Sequence, residues 1–264
     1  METKLLLDCT KRMPEQDESW LPAGWLNNTC LSKQSRSGVV DWLIQVQQYL
    51  GLADTCLHAA VATMDLALYT VDWDPEEVQL LALASLQLAA KMEEDTPPGP
   101  ALFLPLAGDI YAKEDLARIE MELLQALNWK IRQTTASVFL HFYSDLCGKG
   151  LKPLFRMARA ILDLCLLQDW YGCEKPSTLA SACLAAAGCV LGQPWSEEMT
   201  QVTGFTQTEL APTLRLTLSA ALEDQGDGFV EKSGKVGRNI CKLKNGIQGL
   251  VHGLDQGARD TRAG

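Results

Sequence analysis

The chain has 264 residues, of which 47% are hydrophobic, and a formal net charge of −10. This length and apolar content can fill one large core or two of ordinary size, which excludes a chain that is disordered throughout. The charge is uneven, because residues 229–264 carry a net charge of +4 and the rest a net charge of −14. An acidic body argues against a nucleic-acid-binding face and against binding to anionic membranes.

Residues 1–34 contain Pro14, Pro22 and Gly24 among polar residues, and we predict an extended arm with room for one short helix. From Val39 to Leu222 the spacing of apolar residues is helical. After an apolar stripe that begins at Val39, the pattern and its capping residues predict helices at 57–69, 74–91, 101–106, 113–127, 137–147, 152–169, 177–191, 196–202 and 207–222.

An eight-residue pattern occurs twice, as LASLQLAA at residues 83–90 and as LASACLAA at residues 179–186. A repeat at a domain-sized spacing indicates two copies of one structural unit. The helix that carries the first copy is apolar on nearly all sides, which is typical of a helix surrounded by others. The sequence therefore predicts an all-α protein of two tandem five-helix bundles, each built around one central helix.

The two copies continue differently along the chain. The first is followed by Lys91-Met92-Glu93-Glu94 and the second by Ala187-Gly188-Cys189-Val190. Charge at the end of only one central helix predicts that the first bundle carries the functional site.

After residue 225 glycines become frequent and interrupt an apolar stripe that includes Ile240 and Leu254, so we interpret residues 226–264 as a mostly flexible tail.

The cysteine pattern and the lack of long apolar runs narrow the class of protein further. Nine cysteines occur without C-x-x-C spacing, and we interpret them as small core side chains in a reducing compartment, the nucleus or the cytoplasm. The sequence contains no run of about 18 apolar residues, so we predict no membrane-spanning helix. The three histidines lack suitably spaced partners, and no phosphate-binding loop is present, so we expect no catalytic residue, no metal site and no cofactor.

Several segments together resemble the cyclin family. They are Arg36–Leu43, Leu88–Glu94 with Pro97-Pro98, Arg118–Glu120, Pro176–Ala180 and Thr203–Thr206. The resemblance covers about residues 35–222 and implies an N-terminal arm at 1–34, an N-terminal cyclin box at 35–131, a C-terminal cyclin-like fold at 132–225 and the tail at 226–264. It does not assign a cyclin subtype.

The resemblance implies a regulatory subunit that binds and activates a cyclin-dependent serine/threonine protein kinase, in cell-cycle control, and that is not itself an enzyme. The first bundle would hold the kinase C-helix inward so that the kinase completes its catalytic Lys–Glu pair. Two alternatives remain open: an orphan cyclin-fold scaffold or adaptor, and a transcription-related cyclin-box protein that activates no kinase.

Lys91 and Glu120 match the cyclin positions that hydrogen-bond the backbone of the kinase. An ammonium supplies three donors and a carboxylate only acceptors, so the pair can bind a main chain without demanding one partner sequence. The other kinase-binding residues that the resemblance implies are Leu88, Met92, Glu94, Leu124, Trp129 and Ile131. In the alternative interpretation, the Lys91 charge interacts only with the negative end of its own helix dipole. Leu88 and Leu124 are equally compatible with ordinary core positions.

A second surface resembles the cyclin groove that binds Arg-x-Leu peptides of substrates and inhibitors. Its matching residues are Val39, Trp42 and Gln79. Ser35 and Gln45 depart from the family pattern, because that groove usually has a methionine at the first position and an acid at the second. Plain core and surface positions are the alternative. Arg36 and Asp65 resemble an internal ion pair rather than a binding site.

Overall fold

The computed structural model of the chain describes residues 18–108, 110–147 and 149–222. Within these residues all regular structure is helical, which confirms the all-α prediction. Part of the predicted arm and the whole predicted tail at 226–264 lie outside the described residues. The described chain divides into two compact units, which we call the first body (residues 18–135 and 166–173) and the second body (residues 136–165 and 174–222).

The first body contains five α-helices, preceded by a short 3-10 helix at Trp25–Asn28 that belongs to the same body. The helices are α1 (Lys33–Leu50), α2 (Asp54–Thr70), α3 (Val78–Glu93), α4 (Pro100–Phe103) and α5 (Lys113–Ala126). The central helix α3 contacts the other four. Every residue of its octet, 83–90, is buried, as the uniform apolar pattern predicts.

The second body also contains five α-helices. They are α6 (Ala136–Cys147), α7 (Lys152–Leu166), α8 (Pro176–Leu191), α9 (Glu197–Thr203) and α10 (Gln207–Leu222). Helix α8 carries the second octet, 179–186, which is buried at every position. Both octets therefore lie on central helices, and the predicted pair of five-helix bundles is confirmed.

Local capping chemistry sets the helix starts. The Ser32 hydroxyl accepts a hydrogen bond from the Ser35 amide at the start of α1, and Gly51, with a φ of 66°, ends that helix. The Asp74 carboxylate accepts a hydrogen bond from the Glu76 amide, and Pro75 is the first residue of the turn that follows. The turn from Pro75 to Glu77 is a 3-10 helix, so the predicted helix at 74–91 begins in the α form only at Val78.

A buried ion pair lies at the centre of the first body. The guanidinium of Arg36 donates to both oxygens of Asp65, at 2.9 and 2.6 Å, and each side chain is only 1% exposed. The Nη1 nitrogen of the same guanidinium donates to the carbonyls of Leu166 and Gln168, at 3.2 and 3.1 Å. Burial raises the pKa of the Asp65 carboxyl, and the charge and hydrogen bonds of Arg36 oppose that effect.

The segment 166–173 packs within the first body, against the described part of the N-terminal arm. The amides of Trp20 and Leu21 both donate to the Gly172 carbonyl at 3.1 Å, and the buried Tyr171 hydroxyl hydrogen-bonds to His58 at 2.8 Å. A Cβ atom at Gly172 would lie 2.6 Å from the Trp20 indole nitrogen, so this close approach requires glycine. The predicted helix at 152–169 accordingly ends at Leu166.

No helix among the described residues has the length and hydropathy to cross a lipid bilayer.

We predict that Arg36→Ala lowers the free energy of unfolding by about 3–5 kcal/mol, because it leaves the buried Asp65 carboxylate without its partner. Lys33→Ala is the control, since it removes the ion pair with Asp169, in which the lysine side chain is 73% exposed, and it should cost less than about 1 kcal/mol. Urea-induced unfolding followed by circular dichroism measures both. Equal losses in the two variants would contradict the prediction.

Candidate partner-binding site

Lys91 and Glu120 form an ion pair at the surface of the first body. Lys91 lies in the last turn of α3 and Glu120 in the middle of α5, and these two helices pack together. The ammonium nitrogen lies 2.5 and 2.7 Å from the two carboxylate oxygens. The side chains are 42% and 18% exposed, so the pair is accessible from solvent. The two residues that the sequence singles out are thus brought together from positions 29 residues apart.

Three consecutive residues of α5 explain how Glu120 is placed. Arg118 donates to Glu77 at 2.8 Å and to Glu122 at 3.1 Å, which links α5 to the turn before α3. Ile119 is fully buried in the core. Glu120 then faces Lys91, because successive side chains on a helix point about 100° apart. The two glutamates raise the pKa of Arg118 above its already high ordinary value.

The hydrophobic residues that accompany the pair differ in exposure. Leu88 and Leu124 are buried within the chain, at 7% and 8% exposure, whereas Met92 and Ile131 are partly exposed and Trp129 is 63% exposed. Met92, Trp129 and Ile131 line a cavity of about 690 Å³. These three side chains are therefore accessible from solvent, whereas the two leucines are not.

Trp129 sits in a strained turn after α5. Asn128 and Trp129 have φ angles of 49° and 63°, in the left-handed region that side chains other than glycine and asparagine seldom adopt. The Trp129 amide donates to the Leu124 carbonyl at 2.8 Å, which fixes the turn. No glycine marks this turn, so the sequence pattern did not reveal it. Strain of this kind is often found at binding sites.

Glu94 has a partner inside the chain. Its carboxylate accepts from the Ala53 amide at 2.7 Å, at the start of α2, and from the Cys56 thiol at 3.3 Å. Burial raises the pKa of the Cys56 thiol to about 12, and the hydrogen bond and charge of Glu94 add to this effect. The role of Glu94 in kinase binding stays a prediction, but the contacts that the structure shows are internal.

The groove residues lie on α1 and at the start of α3, two helices that pack together. Val39, Trp42 and Gln79 are partly exposed and Gln45 is exposed. The Gln45 amide donates to the Asp41 carboxylate at 3.0 Å, so an acid lies beside the position where the family acid is missing. Ser35 shares a hydrogen bond of 2.8 Å with the capping residue Ser32.

No group of three or more potential metal ligands occurs among the described residues.

Comparisons with known proteins identify the family. The family model of the cyclin N-terminal domain matches residues 10–132, and that of the cyclin C-terminal domain matches residues 134–230. The chain belongs to the cyclin family. This cyclin is 32% identical to G2/mitotic-specific cyclin-B3 of Mus musculus over 176 residues, which cover 66% of this chain and 12% of the mouse protein.

Other relatives belong to the A-type cyclins. G2/mitotic-specific cyclin-A of Drosophila melanogaster is 31% identical over 182 residues, which are 68% of this chain and 37% of the fly protein. Cyclin-A3-1 of Oryza sativa subsp. japonica is 26% identical over 204 residues, which are 74% and 54% of the two chains. The cyclin thus spans between 12% and 54% of the length of these relatives.

Two solved structures share the fold. A viral cyclin from herpesvirus saimiri superposes with a TM-score of 0.70 at 18% identity, and the match covers 83% of this chain and 97% of the viral one. A chain of the yeast RNA polymerase II CTD kinase CTDK-1 complex superposes with a TM-score of 0.59 at 12% identity, over 87% and 83% of the two chains. At these identities the likeness establishes the fold.

We predict that Asn128→Val lowers the free energy of unfolding by about 1–3 kcal/mol, because a β-branched residue is strained at a φ of 49°. Asn128→Gly is the matched control and should leave stability unchanged within about 1 kcal/mol, since glycine adopts this conformation freely. Thermal unfolding of the two variants tests this. Equal stability of both would show that the left-handed turn is not enforced in solution.

Proposed function

We propose that this cyclin is the regulatory subunit of a cyclin-dependent serine/threonine protein kinase and that it binds the kinase through the surface around Lys91 and Glu120. The observation that supports the proposal is the pairing of these two side chains in an accessible position, where Met92, the residue after Lys91, lines the same cavity as the exposed Trp129. Membership of the cyclin family supports it independently. In this role the cyclin transfers no phosphate itself.

The geometry suits recognition of a main chain. In the free cyclin the Lys91 ammonium already bonds to both oxygens of Glu120, which leaves one N–H and the remaining carboxylate lone pairs for a partner. A helix end or strand of the kinase offers carbonyls to the ammonium and amides to the carboxylate. The ion pair therefore holds a donor and an acceptor in register before the kinase arrives, which reduces the entropy lost on binding.

Activation would follow from a preference for one kinase conformation. The first body would bind the kinase C-helix in its inward position, in which the kinase completes the Lys–Glu pair that orients the phosphates. A partner that binds the active conformation more tightly shifts the kinase equilibrium toward it, by no more than the difference between the two affinities. The exposed Trp129 and the cavity beside it would supply the hydrophobic part of this contact.

Short Arg-x-Leu peptides of substrates and inhibitors are a further proposed partner, bound at the surface of Val39, Trp42, Gln45 and Gln79. Asp41 supports this, because its carboxylate lies beside Gln45 and could pair with the peptide arginine.

The proposed location is the nucleus or the cytoplasm, where such kinases act.

Two other functions remain to be tested. One is a scaffold or adaptor that keeps the fold and activates no kinase, and the departures at Ser35 and Gln45 favour it. The other is a transcription-related cyclin-box protein on DNA, which the net charge of −14 over residues 1–228 disfavours. A gel-shift assay with duplex DNA addresses the second, and kinase assays on affinity-purified complexes address the first.

We expect the double variant Lys91→Ala, Glu120→Ala to lose kinase binding by at least about 100-fold, because both main-chain contacts disappear. Its free energy of unfolding should fall by less than about 1 kcal/mol, since the pair is partly exposed. Affinity for a panel of purified cyclin-dependent kinases and phosphorylation of a peptide substrate measure the effect. The control is Lys113→Ala, Glu114→Ala, which removes an exposed lysine and glutamate from the start of α5.

The charge-swapped variant Lys91→Glu, Glu120→Lys sharpens this test. It keeps an internal ion pair and the net charge, but exchanges the positions of donor and acceptor. If the kinase main chain is read in a fixed direction, the swapped cyclin folds normally and binds as weakly as the double alanine variant. Wild-type affinity in either variant would refute the proposed site.

A further inference from the structure

Glu94 reaches from the end of α3 to the start of α2, two helices that follow one another in the chain and pack side by side. It follows Glu93, the last residue of α3, and its own amide donates to the Ala90 carbonyl at 3.0 Å. Its side chain therefore extends from the same helix turn that carries Lys91. Whatever fixes Glu94 also fixes the position of that turn.

The start of α2 lacks a capping side chain of its own. The N-cap residue is Ala53, which makes no side-chain hydrogen bond, and the residue three positions later is Cys56. In a capping box a glutamate at that later position returns to the N-cap amide. Cys56 has no carboxylate for this purpose, and Glu94 bonds to the Ala53 amide in its place, at 2.7 Å.

We infer that Glu94 is a positioning residue for the kinase-binding site, which completes the cap of α2 from the end of α3 and thereby holds the turn of Lys91 in register with Glu120. The inference rests on the proposed function of Lys91 and Glu120. It assigns Glu94 an indirect role: the residue acts through its neighbours and need not contact the kinase.

The surroundings of Cys56 support this arrangement independently of the distance to Ala53. The thiol is fully buried and donates to the same carboxylate oxygen, at 3.3 Å, so one oxygen of Glu94 binds the backbone and the side chain of the same helix turn. The raised pKa of Cys56 keeps this thiol protonated, as a donor requires. Loss of the carboxylate would leave both donors without their acceptor.

The first experiment compares Glu94→Ala and Glu94→Gln in the whole 264-residue chain. The glutamine oxygen can still accept from the Ala53 amide, so Glu94→Gln should keep kinase affinity within about twofold of the wild type. Glu94→Ala should lose about tenfold in affinity, and hydrogen exchange in the first turn of α2 and the last turn of α3 should become about tenfold faster. Alkylation of Cys56 by iodoacetamide should also become faster. Asp95→Ala, at an exposed neighbouring acid, is the control and should change none of these.

A second variant separates the cap from the link between helices. Ala53→Ser supplies α2 with an N-cap of its own, at a residue whose φ and ψ of −62° and 151° suit that role. In combination with Glu94→Ala it should restore thermal stability and slow exchange in α2, while kinase affinity stays low because α3 remains untethered. Full recovery of affinity in this double variant would overturn the positioning role.

The outcomes distinguish the two proposals. If Glu94→Gln binds the kinase as weakly as Glu94→Ala, the charge of Glu94 contacts the kinase and the positioning role is wrong, while the proposed function stands. If the wild type and Lys91→Ala both fail to bind any kinase of the panel, the proposed function is wrong and the positioning role falls with it. Unchanged hydrogen exchange in Glu94→Ala would refute the inference by itself, with no reference to a kinase.

Discussion

The hydrogen bonds of the Arg36 guanidinium are the contacts on which the arrangement of segments in the first body depends. This side chain is 1% exposed and satisfies a carboxylate on α2 and two carbonyls of the segment 166–173. A buried charge of this kind is tolerated only when its hydrogen bonds are all directed to fixed partners. Since these partners lie about 30 and about 130 residues away in the chain, one side chain defines how distant segments of the body meet.

At the surface of the first body, the C-terminal end of α3 connects neighbouring helices as Arg36 connects segments in the core. Within four residues it directs Lys91 toward α5, Met92 toward the cavity beside Trp129, and Glu94 toward α2. These contacts make the proposed site a junction of three helices rather than a property of one. A partner bound there would contact a helix end that hydrogen bonds connect to both α5 and α2.

The second body ends its central helix in a different way. At Gly188 the chain returns so closely that a Cβ atom would lie 2.7 Å from the Gln193 carbonyl, and the Gln193 amide donates to the Gly188 carbonyl at 2.8 Å. Backbone occupies the space beside this helix turn, one residue after Ala187, the counterpart of Lys91 in the repeat. The repeated octet is thus followed by a charged, accessible turn in one body and by a closed backbone turn in the other.

The sequence by itself determined the helices and the two central octets, and through a family resemblance it selected Lys91 and Glu120 as one site. Apolar periodicity, capping residues and a repeat are local signals, and the resemblance is carried by contiguous motifs, whereas the ion pair between the two side chains was decided by the packing of α3 against α5. The tertiary structure alone decided that Glu94 faces α2 and that residues 166–173 join the first body. It also decided that Trp129 projects from a left-handed turn. These features depend on contacts between residues distant in sequence, or on a left-handed backbone conformation at positions that are not glycine, so no local pattern could predict them.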